Sequence, residues 1–283
     1  MRIKYTLLER MKNLTSTEMD FLLYIARKQD LGGHVVGVHN QDVCRNTGMC
    51  KQSFYTAMRG LEKKGVIRAV KASEMDYDIT ILDNDCRDRE TGGFHCPEGY
   101  INLQRSIFRQ KRFLKLKAKE KWMLMYFLHI THENSASYRI GTSTFYEKFT
   151  KLLGVTGRVV RSYLHHLRAF FSVGIIKGIY FITYRHSVFD PKDEIGTERC
   201  CHENFIQAAV RRNQIRKASG QEIRETAGLV KQYRQEAERR GYDIFEVLRL
   251  CIRQSVRDQI HPKDRKLQNR YIHKLVRKAL ALD

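Results

Sequence analysis

Along the first third of the chain, apolar and polar positions fall into blocks of distinct period. In TSTEMDFLLYIARKQ, residues 15–29, Leu22, Ile25 and Ala26 recur at helical spacing, with Leu14 just ahead of them. Thr15 and Glu18 stand at capping-box spacing, so a helix is expected to begin there. LGGHVVGV interrupts it and supplies a short β-prone run at 34–38. HNQDVCRNTG predicts a short helix ended by Gly48, and KQSFYTAMRGLEKKG a longer one ended by Gly65. VIRAVKA and YDITILD follow as two strands joined by a polar turn around Ser73–Asp76.

The pattern returns 106 residues later. Val43, Gly48, Met49, Phe54, Met58 and Leu61 become Phe149, Gly154, Val155, Val160, Leu164 and Leu167, so each apolar position stays apolar and the turn glycine stays glycine. EKWMLMYFLHI at 120–130 is then the first helix and YRIGT at 138–142 the short strand. With a three-residue insertion, GVIR at 65–68 matches GIIK at 174–177, and GIYFITYRH forms the second strand of the ribbon. A period this long marks tandem domains, since solenoid units run about 20–50 residues.

Helix, strand, helix, turn, helix and ribbon is the order of a winged helix-turn-helix. The expected fold is mainly α with small β wings: two tandem winged helix-turn-helix domains plus a C-terminal helical domain. Their spans are 1–84 for the first, 85–100 for a polar, Gly-rich linker, 101–190 for the second and 191–283 for the helical domain. Gly48 and Gly154 stand where the helix before the turn must end in a left-handed residue. With the apolar residues packing the two helices together, Lys51, Gln52, Ser53, Tyr55, Thr56 and Arg59 are left to project outward in the first copy. Arg158, Arg161, Ser162, His165 and Arg168 do so in the second. Those are the positions a recognition helix offers to a major groove. The same geometry also serves as plain packing or as a protein-interaction module; two basic or polar faces in one chain favour DNA.

After HSVFDPKDEIGTERC the β signal fades and charge becomes dense. GQEIRETAGLVKQYRQEAERRG reads as an amphipathic helix ended by Gly241. The next helix is capped by Asp243 and carries a stripe of Ile244, Val247, Leu248, Cys251, Ile252 and Ser255 or Val256. HPKDRK interrupts, and RYIHKLVRKALAL repeats the stripe with Tyr271, Ile272, Leu275 and Val276, giving a three- or four-helix domain.

Charge sharpens the picture. The 283 residues hold 52 Lys+Arg against 31 Asp+Glu, a formal net charge of +21, and the pI is near 9.8. Such a balance is the electrostatic footprint of a nucleic-acid binder. The basic residues are interleaved with aromatic and aliphatic ones, which favours nucleic acid over a membrane surface. No apolar run approaches the roughly 18–20 residues that span a bilayer, and the charged N-terminus MRIKYTLLERMKN does not read as a signal peptide. An odd count of 7 cysteines suits a reducing cytosol with free thiols, so a cytoplasmic location is expected.

The segment LTSTEMDFLLYIARKQDLGGHVVGVHNQDVCRNTGMCKQSFYTAMRGLEKKGVI resembles the winged-helix domains of plasmid replication proteins and bacterial transcription regulators. Two such domains in tandem over residues 14–185 are similar to the replication initiators of theta-replicating plasmids, and the family's own sequence hallmarks are not found. The resemblance implies that each winged helix contacts repeated origin DNA. DIFEVLRLCIRQSVRDQ followed by RYIHKL resembles the C-terminal helical module of DnaD-like primosome proteins, with Ala279–Leu282 where that family has a tryptophan. The expected function is sequence-specific duplex-DNA binding in replication or maintenance of a plasmid or mobile element. Transcriptional regulation without replication and DNA organisation or segregation are the alternatives. The expected partners are double-stranded DNA and, through the C-terminal helices, another copy or the replication or transcription machinery.

Other chemistry has less support. Cys86, His95, Cys96, Cys200, Cys201 and His202 are zinc-ligand types near the two boundaries, but no CxxC pair occurs; free thiols are expected, with no metal or cofactor. Cys44 and Cys50 are expected to pack in the first helix-turn-helix. His165-His166-Leu167-Arg168 matches the His-x-x-Arg string of tyrosine recombinases, but helical periodicity already accounts for those residues. No Walker-type, GxSxG or His-based metal motif is present, so a non-enzymatic protein is expected.

Overall fold

Thr15 accepts a hydrogen bond from the Glu18 amide, and the Glu18 carboxylate accepts from the Thr15 amide, so the helix starts where the sequence places it. The structure, a computed structural model, describes residues 1–88, 90–133, 137–185, 197–259 and 265–282. It opens with strand β1 (Arg2–Lys4) and helix α1 (Tyr5–Met11). Then come α2 (Ser16–Ala26), β2 (His34–His39), α3 (Asn40–Thr47), α4 (Lys51–Lys63), β3 (Ile67–Ser73) and β4 (Asp76–Ile81). After β5 (Tyr100–Asn102), a 3-10 turn at Arg105–Arg109 and α5 (Lys111–Leu114), the same order recurs. It runs α6 (Ala118–Glu133), β6 (Ser137–Gly141), α7 (Thr142–Leu153), α8 (Gly157–Leu167), β7 (Phe171–Ile176) and β8 (Ile179–Tyr184). The two three-stranded sheets share one topology, β2-β4-β3 and β6-β8-β7. Among the described residues, four helices follow: α9 (Thr197–Arg212), α10 (Gly220–Arg239), α11 (Ile244–Arg257) and α12 (Asn269–Ala279). The protein is thus mainly α with small sheets.

One alignment drawn from the sequence is corrected. GVIR opens β3, with Val66 and Ile67 buried, whereas GIIK closes β7, with Ile175 and Ile176 exposed. The buried pair that opens the second hairpin is Phe170–Phe171. Both strings are glycine, two aliphatics and a cation, but they lie at opposite ends of their hairpins.

By its contacts the chain forms two units. The first gathers Met1–His34, Asn40–Val70 and the described residues from Ile79 to Arg185. Its centre is Trp122, fully buried, which donates from Nε1 to the Leu8 carbonyl at 2.8 Å and stacks on Tyr126. Around it Phe127 meets Phe145, Phe149 and Phe171. Helices α1 and α2 pack on α6, the Ala118 amide donates to Ser16 Oγ, and Lys121 pairs with Asp20. The two copies therefore share one core. The expected linker is itself folded: Arg87 pairs with Phe94, and β5 lies antiparallel to β1.

The second unit gathers Val35–His39, Lys71–Asp78 and the C-terminal helices. Ser219 and Glu222 form a capping box on α10, and Asp243 caps α11 through the Phe245 amide. Ile244, Val247, Leu248, Cys251, Ile252, Ser255 and Val256 are all buried, so both candidates at the end of the stripe face the core. On α12, Ile272 and Val276 are buried, while Tyr271 and Leu275 are half-buried. Arg212 of α9 holds Asp76 Oδ2 at 2.9 Å and Asp78 Oδ1 at 2.7 Å, and Arg211 donates to the Gly37 carbonyl. The boundary expected at 190/191 and residues 261–264 of the HPKDRK break lie outside the described residues. Among the described residues, no helix is long and apolar enough to cross a membrane.

Candidate nucleic-acid interface

The helix pairs α3–α4 and α7–α8 each turn on a left-handed glycine. Gly48 has φ 75° and Gly154 has φ 58°, and nothing lies within 4 Å of where a Cβ would stand on either. The backbone alone selects glycine there. Thr150 Oγ1 donates to the Tyr146 carbonyl at 2.7 Å, and the Gly154 and Val155 amides return to the Thr150 carbonyl, so α7 ends sharply before α8. Lys119 adds a bond to the Leu153 carbonyl at 2.6 Å. Beyond the turn, Val160, Leu164 and Leu167 are buried under α8, as Phe54, Met58 and Leu61 are under α4. Met49 and Val155, the residues following the glycines, are both half-buried.

On α4, Lys51, Gln52, Thr56 and Arg59 are exposed. Ser53 and Tyr55 are half-buried, so their outward reach is smaller than the helical spacing suggests. The Tyr55 hydroxyl accepts from Asn40 Nδ2 at 3.3 Å, and its carbonyl accepts from Arg59 Nε at 3.3 Å. Gly60 fixes the seat of α4: a Cβ there would stand 2.1 Å from Glu18 Oε1. Cys50, expected to pack, is exposed at the start of α4, with Sγ 3.2 Å from Ser53 Oγ. That hydroxyl and the nearby backbone amides hold its thiol below the ordinary 9.0. Cys44 is half-buried.

On α8, Arg158, Arg161, Ser162 and His165 are all exposed, as is Arg168 at its C-cap. Arg161 is held in place: its Nε donates to the Tyr146 hydroxyl at 3.4 Å, and its guanidinium lies over the Tyr146 ring. The Tyr146 hydroxyl also bonds Tyr180 of β8 at 2.9 Å. Burial, then the bond to Tyr146, pushes the Tyr180 phenol up to about 12. Burial acts the same way on Tyr146, but the bonds from Tyr180 and Arg161 outweigh it and its phenol is lowered. The end of α8 is fixed by His166 Nδ1, 2.5 Å from Glu120 Oε1, while Glu120 Oε2 accepts from the Lys117 amide.

The sequence reading missed Tyr146 and Tyr180, which position Arg161, and a charge signal that was open to it. From Lys148 to Arg185 the chain has seven Lys or Arg (148, 151, 158, 161, 168, 177, 185) and no Asp or Glu. The corresponding part of the first copy carries Asp42, Glu62, Glu74, Asp76 and Asp78 among its cations.

The zinc-ligand types divide between the units. Cys86, His95 and Cys96 belong to the first, and Cys200, Cys201 and His202 to the second. Burial, with Cys96 alongside, pushes the Cys86 thiol up to about 12. His202 packs against Phe245. No protein-family model, curated protein or solved structure matches the chain.

Proposed function

We propose that the chain is a sequence-specific duplex-DNA-binding protein of two tandem winged helix-turn-helix domains, with α8 the principal reader. The observation that carries this reading is the carboxylate-free stretch from Lys148 to Arg185, from which α8 and its C-cap expose Arg158, Arg161, Ser162, His165 and Arg168 together. Arginine reads guanine edges bidentately in a major groove, and unpaired cations around it hold phosphates. Helix α4 is the second reader, through Lys51, Gln52, Thr56 and Arg59. Because α2 packs on α6, the readers sit on one scaffold, and their half-sites should tolerate a single separation. The first hairpin contributes less: Glu74 at its tip is exposed and would repel phosphate, while Asp76 and Asp78 are taken up by Arg212.

No catalysis or cofactor belongs to this reading. The C-terminal helices would recruit a partner or a second copy. A role in replication or maintenance of a plasmid or mobile element follows from the resemblance of residues 14–185 to theta-type initiators. The test is binding of duplex DNA, followed by fluorescence anisotropy, across a salt series. The logarithm of affinity should fall linearly with that of salt, and Gln at Arg158 or Arg168 should flatten the slope by about 0.9 for each phosphate no longer neutralised. Salt-independent binding, or none at about 0.1 M salt, would refute the reading.

A further inference from the structure

The tip of the β7–β8 hairpin is apolar and uncovered. Ile175, Ile176 and Ile179 are 54%, 61% and 40% exposed, whereas Phe171 and Ile182 further along the strands are buried. Ile176 faces Ile179 across the turn and Ile175 faces Tyr180. The turn is Lys177–Gly178, with φ 49° and 74°, the backbone of a tight two-residue hairpin. Lysine is a strained occupant of a left-handed position that Asn or Asp takes more readily, and strain of this kind gathers at functional sites. Single exposed aliphatics need no explanation, but three adjoining at one tip do.

The surroundings indicate what covers them. Lys177 sits between Ile176 and Ile179, and the whole stretch from Lys148 to Arg185 lacks a carboxylate, so the occupant is a polyanion that also offers apolar surface. Duplex DNA does both: phosphates line its grooves and base faces lie between its steps. We propose that this tip enters the minor groove and that the isoleucines wedge against a base step, kinking the duplex beside the site read by α8. The inference rests on the reading of α8 as a DNA reader. Wedge and reader are mechanically joined: Tyr180, opposite Ile175, bonds Tyr146, which in turn accepts from Arg161. Groove contact and kink would then share one register.

The test uses the full chain and a duplex selected by it from a random library. Dyes at the duplex ends report bending by energy transfer, and 2-aminopurine at successive steps reports unstacking. The wild type should raise energy transfer and light one step. The triple variant Ile175→Thr, Ile176→Thr, Ile179→Thr keeps strand-forming residues at exposed positions, so its thermal melt should match the wild type. It should bind about tenfold more weakly, with both optical signals lost. Wild-type binding to straight, fully stacked DNA would overturn the wedge and leave the α8 reading intact. Equal bending by the triple variant would overturn it too. A wild type that self-associates through the tip, with a monomeric triple variant that still bends DNA, would reassign the isoleucines to a dimer contact. Absence of any duplex binding by the wild type would remove the α8 reading and the wedge together.

Discussion

Replacing Tyr146 by Phe removes one oxygen that serves two partners. The hydroxyl accepts from Arg161 Nε at 3.4 Å and bonds the Tyr180 hydroxyl at 2.9 Å, while the ring stays against Phe145 and Tyr180. Tyr180 is buried, so its hydroxyl loses a partner that water replaces poorly, and stability should fall by about 1 kcal/mol. The effect on DNA is separate. Arg161 is pre-ordered on α8 by this bond, and ordering one long side chain on binding is worth about 0.5–1.5 kcal/mol, roughly a two- to tenfold change in affinity. Tyr146→Phe should therefore weaken binding to the selected duplex two- to tenfold and leave binding to random duplex unchanged. Anisotropy titrations at about 0.15 M salt on a four-protein cycle (wild type, Tyr146→Phe, Arg161→Ala and the double variant) decide it. The double variant should bind no worse than Arg161→Ala alone, because the oxygen then has no side chain to position. Losses that multiply across the two sites would refute the positioning role of Tyr146.

Three further outcomes follow from the packing. Gly60→Ala would raise helix propensity on an open helix, but its Cβ would stand 2.1 Å from Glu18 Oε1 and push that carboxylate off Lys64 and the Thr15 amide, so chemical denaturation should show a loss of about 1–3 kcal/mol; a more stable variant would show that Glu18 moves aside and keeps both partners. Burial of Glu18 opposes its ionisation, yet the bonds from Lys64 and Thr15 outweigh it and hold the carboxyl below the ordinary 4.5. This group's contribution is present above that value and is lost as pH falls through the lowered folded value; Glu18→Gln should accordingly flatten the acid limb of a stability–pH profile, and an unchanged limb would show that the pair is unimportant. Arg212→Ala leaves Asp76 buried without its cation, which should cost about 3–5 kcal/mol in denaturant, whereas a loss under 1 kcal/mol would mean that Asp76 is readily rehydrated.

Local features were legible from spacing alone. The Thr15–Glu18 capping box, the turn glycines and the α11 stripe depend on residues within a few positions of one another, and the structure has each where periodicity puts it. Pairings across long separations were not. Nothing in the string around Tyr146 announces Tyr180, and nothing near Leu8 announces Trp122. The misplaced GIIK match has a different cause: a short glycine–aliphatic–cation string carries too little information to fix a register, and the bulkier Phe170–Phe171 pair wins the buried start of the strand. On α4, helical spacing marked Ser53 and Tyr55 as outward, but the Tyr55 bond to Asn40 draws that edge inward. The missing carboxylates between 148 and 185 were readable in the sequence, and become informative once α8 and the second hairpin are known to share that stretch.

The most direct test of the central claim is selection of bound duplexes from a random library at about 0.15 M salt, run in parallel with wild type, Arg161→Ala and Arg59→Ala. The account predicts a wild-type motif of two half-sites at one separation. Arg161→Ala should lose information in one half-site alone and bind the wild-type motif roughly 5- to 150-fold more weakly, and Arg59→Ala should act on the other half-site. Repeats beside an AT-rich tract would favour a replication origin, and a single promoter operator a transcriptional regulator. The same motif from all three proteins, or no motif from the wild type, would contradict the assignment of α4 and α8 as readers.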